Sequence, residues 1–365
     1  MSLVDRALLG PGPCNPYPEA TTALAAPILG HLDPAFLRLL DETCERLRTV
    51  WGTGNRRTLP LSGTGSIGME AAFANFVRPG DPVVVAVNGL FGQRMTDVAA
   101  RYGANVIAVE HEWGQPVDPE RVLDAHPSPR IIAAVHAETS TGVESDIGAL
   151  GRGIAARFPE TLLLADCVTS LAGIDVRADD WGIDIGYSGT QKCVGVAPGL
   201  APFTVSEKAW AARVEQPPTW YLDLGMIGSY VDGQSGGRTY HHTAPVAMIA
   251  SLHAGLGRVL EEGLDAVQAR HAEAGAYLQD GLEAIGLELF AAKGSRLPEL
   301  TTVRVPEGVD SAQVRGRLLE EYGIEIGAGA GAYASTVWRI GLMGHNARIA
   351  RAELVLGALR RLLGR

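Results

Sequence analysis

Seven short runs of Val, Ile, Leu and Ala recur through the first two-thirds of the chain: TLPLS (58–62), PVVVAV (82–87), NVIAVE (105–110), RIIAAVH (130–136), TLLLAD (161–166), IDIGYSG (183–189) and LAPFTVS (200–206). Most are continuously apolar instead of alternating, which is how strands covered on both faces read. Segments with helical spacing, such as MEAAFANFV and QRMTDVAARYG, lie between several of them. Together they predict an α/β domain on a mostly parallel sheet. A polar, glycine-rich loop (228–245) closes this part. A long helical region follows from Pro245 to about Gly286. The remainder mixes the short strands LTTVRV and VWRIGLM with the helices SAQVRGRLLEEYG and ARIARAELVLGALRRLL. The pattern divides the chain into an N-terminal arm (1–15), a large domain (16–258) and a smaller α+β domain (259–365).

Composition narrows the partners. With 365 residues, 46% of them hydrophobic, the chain can bury a sizeable core. Its net charge of −10 has no block of like sign, which argues against a nucleic-acid or membrane-surface partner. Cys14, Cys44, Cys167 and Cys193 are scattered and form no CxxC pair. Neither a disulfide framework nor a structural zinc site is expected, and a reducing cytosol fits. The start, MSLVDRALLGPGP, does not read as a signal peptide, and no apolar run reaches membrane-spanning length.

Three short stretches carry candidate chemistry. In SGTGSIGMEAA a strand ends at Ser62, a glycine turn follows, and a helix begins near Ser66. Backbone N–H groups at such a helix start cradle an anion. Gly63, Gly65 and Gly68 also match a dinucleotide GxGxxG. That site needs an acid about 20 residues on to hold the ribose, and the next strand runs into Asn88 instead. A phosphate site without a ribose clamp remains, with an empty tight turn as the alternative. Asp166 closes the run TLLLAD, where a carboxylate points into the ligand crevice of an open sheet or caps a helix. Lys192, in YSGTQKCVG, follows a glycine turn among small and apolar neighbours. Partial burial would lower its pKa and free its lone pair; the alternative is a loop lysine that reaches solvent. Taken together, a phosphate turn, a strand-end Asp and a Lys past another strand end suit pyridoxal phosphate: the lysine as covalent anchor, the carboxylate on the pyridine nitrogen, the turn on the phosphate. Arg339, inside the apolar strand VWRIGLM, needs an anion, either a substrate carboxylate or an internal salt bridge. His241 and His242 have no third ligand nearby, so a metal is not expected.

Eight motifs in chain order resemble those of class V aminotransferases of pyridoxal-phosphate fold type I, the alanine–glyoxylate and serine–pyruvate aminotransferases above all. They are LLGPGPCN, SGTGSIGMEAA, NGLFGQR, HAETSTGV, LLLADCVTSLAG, YSGTQKC, YHHTAPV and WRIGLMG. The resemblance implies a seven-stranded, mostly parallel sheet and ping-pong transfer of an amino group from alanine or serine to glyoxylate or pyruvate. It implies Lys192 as the Schiff-base lysine and Asp166 as the pyridinium partner. It implies Thr64, Gly65, Ser66 and Gln191 on the phosphate, Phe91 stacked on the ring where some members carry tryptophan, and Thr139 near the ring oxygen. Val168 would pack on the other ring face and Arg339 would grip the substrate carboxylate. Tyr240 and Thr243 would reach the phosphate of the neighbouring subunit in a homodimer. His31 receives no role. A ureidoglycine–glyoxylate aminotransferase is the nearest alternative. A cysteine desulfurase is disfavoured, because no cysteine follows Cys193, and a nicotinamide oxidoreductase is disfavoured by Asn88.

Overall fold

In a computed structural model of the chain, which describes residues 4–231 and 237–364, the seven apolar runs form one sheet. Its spatial order is Arg57–Ser62, Leu200–Val205, Ile185–Tyr187, Leu162–Asp166, Ile131–Val135, Pro82–Val87, Asn105–Glu110. Leu200–Val205 runs antiparallel to both neighbours; every other pairing is parallel. Ile131–Val135 and Leu162–Asp166 are buried throughout, as continuous apolar runs require when both faces are covered. Phe36, Leu47, Trp51, Phe73, Phe76 and Val98, from three helices, pack with the strands into one core.

Because the strands run parallel, the ends at Ser62, Val87, Val135, Asp166 and Tyr187 open on one edge of the sheet. The segments that follow them are brought together there.

A second core gathers Leu278, Leu282, Val303, Leu318, Trp338, Ile340 and Leu359 around a three-stranded sheet of Leu300–Arg304, Val337–Gly341 and Gly327–Ala328. The N-terminal segment belongs to it: Ala7–Leu8 pairs with Ile324–Glu325, and Ala7 and Leu9 are buried in this core. The helical region after Pro245 is two helices, Val246–Glu262 and Leu264–Ala284, broken at Gly263. With φ of 90°, Gly263 adopts a backbone geometry that side chains oppose. The first of these helices runs through residue 258 without interruption. The second passes between the cores, with Val267 in the first and Ala274 in the second. The loop expected over 228–245 opens inside the helix Leu224–Val231; residues 232–236 lie outside the described part.

Candidate active site

The strand-end edge holds a cavity of about 130 Å³. Thr64, Gly65, Ser66, Phe91, Thr139, Asp166, Val168, Gln191 and Lys192 all line it, and so do Arg94 and Tyr187. Nine of the residues anticipated from sequence therefore converge on one place from five separate segments.

The chain has three lysines, and Lys192 alone is buried, at 8% exposure; Lys208 and Lys293 are exposed. Burial pushes the Lys192 ammonium down to about 8, and the neighbouring Arg339 guanidinium pushes the same way. Its amine donates to the Pro11 carbonyl. The arm motif GPGP thus folds directly over the lysine. Gly12, with φ of 102°, has no room for a side chain, since a Cβ there would lie 2.5 Å from Lys192 Nζ.

Asp166, 3% exposed, accepts from the Val168 N–H (2.8 Å) and from the Tyr187 hydroxyl (2.9 Å). Burial raises it to about 6, an effect that these two donors only partly offset. Such a carboxylate gains from a cation placed against it, which is what a protonated pyridine nitrogen would supply.

The helix Gly65–Phe76 starts at the cavity with no side-chain cap, so its first N–H groups are available to an anion. Gln191 Oε1 is buried beside it without a hydrogen-bond partner. An uncapped helix start, a buried amine and a buried carboxylate around one cavity fit pyridoxal phosphate, and Gln191 would donate to the phosphate through its amide N–H groups.

Arg339 is partly buried in Val337–Gly341. Its Nε donates to the Ala328 carbonyl (2.7 Å) and an Nη to the Thr139 carbonyl (3.5 Å). Among the described residues it forms no salt bridge, and desolvation lowers its pKa. The internal ion pair that could have explained it is absent from the described part, while the guanidinium stands next to Lys192.

Tyr240 and Thr243 are not in this cavity. Tyr240 is 55% exposed with its ring 5.3 Å from that of His31, and Thr243 lines a surface groove with Ile28, Leu29, His31 and Pro245. His241 and His242 are joined to each other through their Nδ1 atoms (2.8 Å). The outer nitrogens meet Ser62 Oγ (3.1 Å) and the Trp220 carbonyl (3.1 Å). Asn88 is buried, its amide donating to Gln115 and Ser145.

Sequence reasoning missed Glu138, Tyr187, Arg94 and Gly12. All four stood in quoted motifs without a role: Gly12 in LLGPGPCN, Arg94 in NGLFGQR, Glu138 in HAETSTGV and Tyr187 in YSGTQKC.

Residues 17–351 match the family model for class-V aminotransferases. A solved alanine–glyoxylate aminotransferase from Nostoc sp. superposes with a TM-score of 0.95 at 44% identity, covering 100% of this chain and 96% of that one. An (S)-ureidoglycine–glyoxylate transaminase from Bacillus subtilis is 37% identical over 98% of this chain and 90% of its own. An alanine–glyoxylate aminotransferase from Callithrix jacchus is 39% identical over 100% and 89%. The chain belongs to the class-V aminotransferases, and it is a pyridoxal-phosphate-dependent transaminase.

Proposed function

We propose that the enzyme moves the amino group of alanine or serine to glyoxylate or pyruvate, and that it works as a homodimer with shared sites in the cytosol. The observation that carries the substrate reading is Arg339. A partly buried guanidinium whose hydrogen bonds go only to carbonyls and which forms no salt bridge among the described residues, close enough to the reactive lysine to lower its pKa, is suited to a small monocarboxylate. Glyoxylate is the acceptor in the names of both sets of relatives. (S)-Ureidoglycine is the second donor reading, supported by the Bacillus subtilis relative.

When bound, pyridoxal phosphate supplies the electron sink for the substrate α-carbon. The residues of the chain do the rest. The N–H groups at Gly65 and Ser66, with Thr64 and Gln191, would hold its phosphate. Phe91, Val168 and Thr139 would hold its ring. Asp166, braced by Tyr187, would favour a protonated ring nitrogen. Arg339 fixes the substrate carboxylate. Lys192 Nζ, once free, takes the α-proton and delivers it back within the site; its lowered pKa keeps the neutral amine populated near neutrality.

The exposed side chains of Ile28, Leu32, Trp220, Tyr221 and Tyr240 support a second copy of the chain on that face. Four buried free thiols fit a reducing compartment.

A panel of alanine, serine and (S)-ureidoglycine, each with glyoxylate and with pyruvate, tests the substrate reading. Turnover with alanine or serine supports it; turnover with ureidoglycine alone replaces it by the second. Borohydride should fix the cofactor to Lys192 and to neither Lys208 nor Lys293. Lys192→Ala should lower turnover by several orders of magnitude.

A further inference from the structure

Glu138 is fully buried and forms no salt bridge among the described residues; the Arg339 guanidinium feels its charge without pairing with it. It lies where the short strand Ala137–Glu138 passes the start of the helix Leu90–Arg101. That helix begins at Gly89, which brings no capping side chain. Glu138 caps it from a distance: one carboxylate oxygen accepts from the N–H groups of Phe91 (3.0 Å) and Gly92 (3.3 Å). The other accepts from the N–H (3.0 Å) and hydroxyl (2.5 Å) of Ser140. Ser140 Oγ in turn accepts from the Leu90 N–H (2.9 Å). Two residues of one strap thereby satisfy three of the four N–H groups that a helix start leaves open.

The fit leaves no slack. A Cβ at Gly89 would lie 2.4 Å from both Glu138 Cγ and Ser140 Oγ, so the carboxylate reaches the helix only because residue 89 is glycine. Thr139 sits between the two capping residues. It lines the cavity, and its carbonyl accepts from Arg339. Phe91, whose N–H Glu138 holds, lines the same cavity.

We propose that Glu138 is a positioning residue that sets Phe91 and, through Thr139, Arg339 relative to the cofactor and substrate. It reaches neither ligand itself. Its carboxylate locks the helix start against the strap, so that the aromatic face and the carboxylate-binding guanidinium keep one spacing. This rests on the roles proposed above for Phe91 and Arg339.

The test uses Glu138→Gln in the full-length enzyme, which keeps the shape but replaces one acceptor oxygen by a donor facing other donors. Apparent Kd for pyridoxal phosphate, the induced circular dichroism of the bound cofactor, and KM against kcat for glyoxylate are read beside the melting temperature. The expected result is cofactor affinity weakened by about tenfold or more, an altered induced signal and a raised KM. A merely structural carboxylate would lower the melting temperature and leave the Kd, signal and KM of the folded enzyme unchanged; that outcome overturns the proposal. If Glu138→Gln fails to fold, Ser140→Ala, which removes one donor to Glu138 and the acceptor for Leu90, should shift Kd and the signal in the same direction; wild-type values would then overturn it. Phe91→Ala separates the two readings. If it leaves cofactor affinity intact, the assignment of Phe91 fails. If it weakens affinity while Glu138→Gln does not, only the positioning role fails.

Discussion

Arg339 and Lys192 are two cations of one site, and the first bears on the second. The guanidinium depresses the lysine pKa on top of burial, to about 8. Capture of cofactor by the apo-enzyme needs the neutral amine, so its rate should rise with pH through a midpoint near 8. Arg339→Gln removes one of the two depressing causes. The lysine then holds its proton more tightly, and the midpoint should move to higher pH; an unmoved midpoint would show that burial alone sets it. Arg339→Lys keeps the charge and loses the planar fork. It should raise KM for amino and keto acids by roughly 1.5–3 kcal/mol equivalent, with cofactor affinity nearly unchanged; loss of cofactor with intact substrate affinity would make Arg339 structural. Both residues were legible in the sequence, because a cation among apolar neighbours is an anomaly wherever the chain goes. Glu138 and Tyr187 were not. The partners of Glu138 at Phe91 and Gly92 lie 47 and 46 residues earlier, and Tyr187 finds Asp166 21 residues back. A polar group that is satisfied across the fold leaves no local trace.

The strands were read to within a residue or two at most ends, since most are buried runs between turn residues; Pro82–Val87 and the largely exposed edge strand Asn105–Glu110 match outright. The break at Gly263 was missed because apolar spacing continues across it. The helix it starts has a task of its own. His271, fully buried on Leu264–Ala284, donates from Nδ1 to the Val267 carbonyl (2.7 Å) and accepts at Nε2 from the Gly344 N–H (2.9 Å). Arg270 beside it donates to the Gly344 and Ala347 carbonyls and pairs with Glu262. Gly344 packs against Gly195 and the Lys192 carbonyl, so this helix braces the lysine loop from behind. Burial pushes His271 down to about 4 from an ordinary 6.5. Between those values the unfolded chain binds the proton and the folded one does not, so stability falls as pH drops from 6.5 to 4, by about 3 kcal/mol at most. Above 6.5 this contribution is fully present. His271→Gln cannot take that proton. Its melting temperature should be lower than wild type at pH 7, with the gap closing towards pH 4; parallel curves would show that His271 does not carry the acid sensitivity.

At the scale of the molecule, the cavity is built from one chain but two anticipated phosphate ligands lie elsewhere. Tyr240 is exposed and Thr243 lines a surface groove, on a face where Ile28, Leu32 and Trp220 are also exposed. Sequence periodicity could describe the fold of the chain, yet it says nothing about which surface meets a copy; only the family resemblance pointed to this loop. Tyr240 is held against His31, and His242 of the same loop against Ser62, the last residue before the phosphate turn. The loop is thus anchored to its own chain while its reactive groups face outward, as a reciprocal two-fold exchange requires. Mixed dimers test this. One chain carries Lys192→Ala, the other Tyr240→Phe with Thr243→Ala. Each homodimer should be impaired, the first in chemistry and the second in cofactor affinity. In the heterodimer one site has neither the lysine nor the donated hydroxyls. The other joins the intact lysine of the loop mutant to the intact hydroxyls of the lysine mutant. That site should bind cofactor at wild-type affinity and give about half the wild-type turnover per dimer, because one of two equivalent sites is restored. Differentially tagged chains, purified as heterodimers and assayed at limiting pyridoxal phosphate, supply the measurement. Affinity no better than that of the loop-mutant homodimer would mean that Tyr240 and Thr243 serve their own chain or neither.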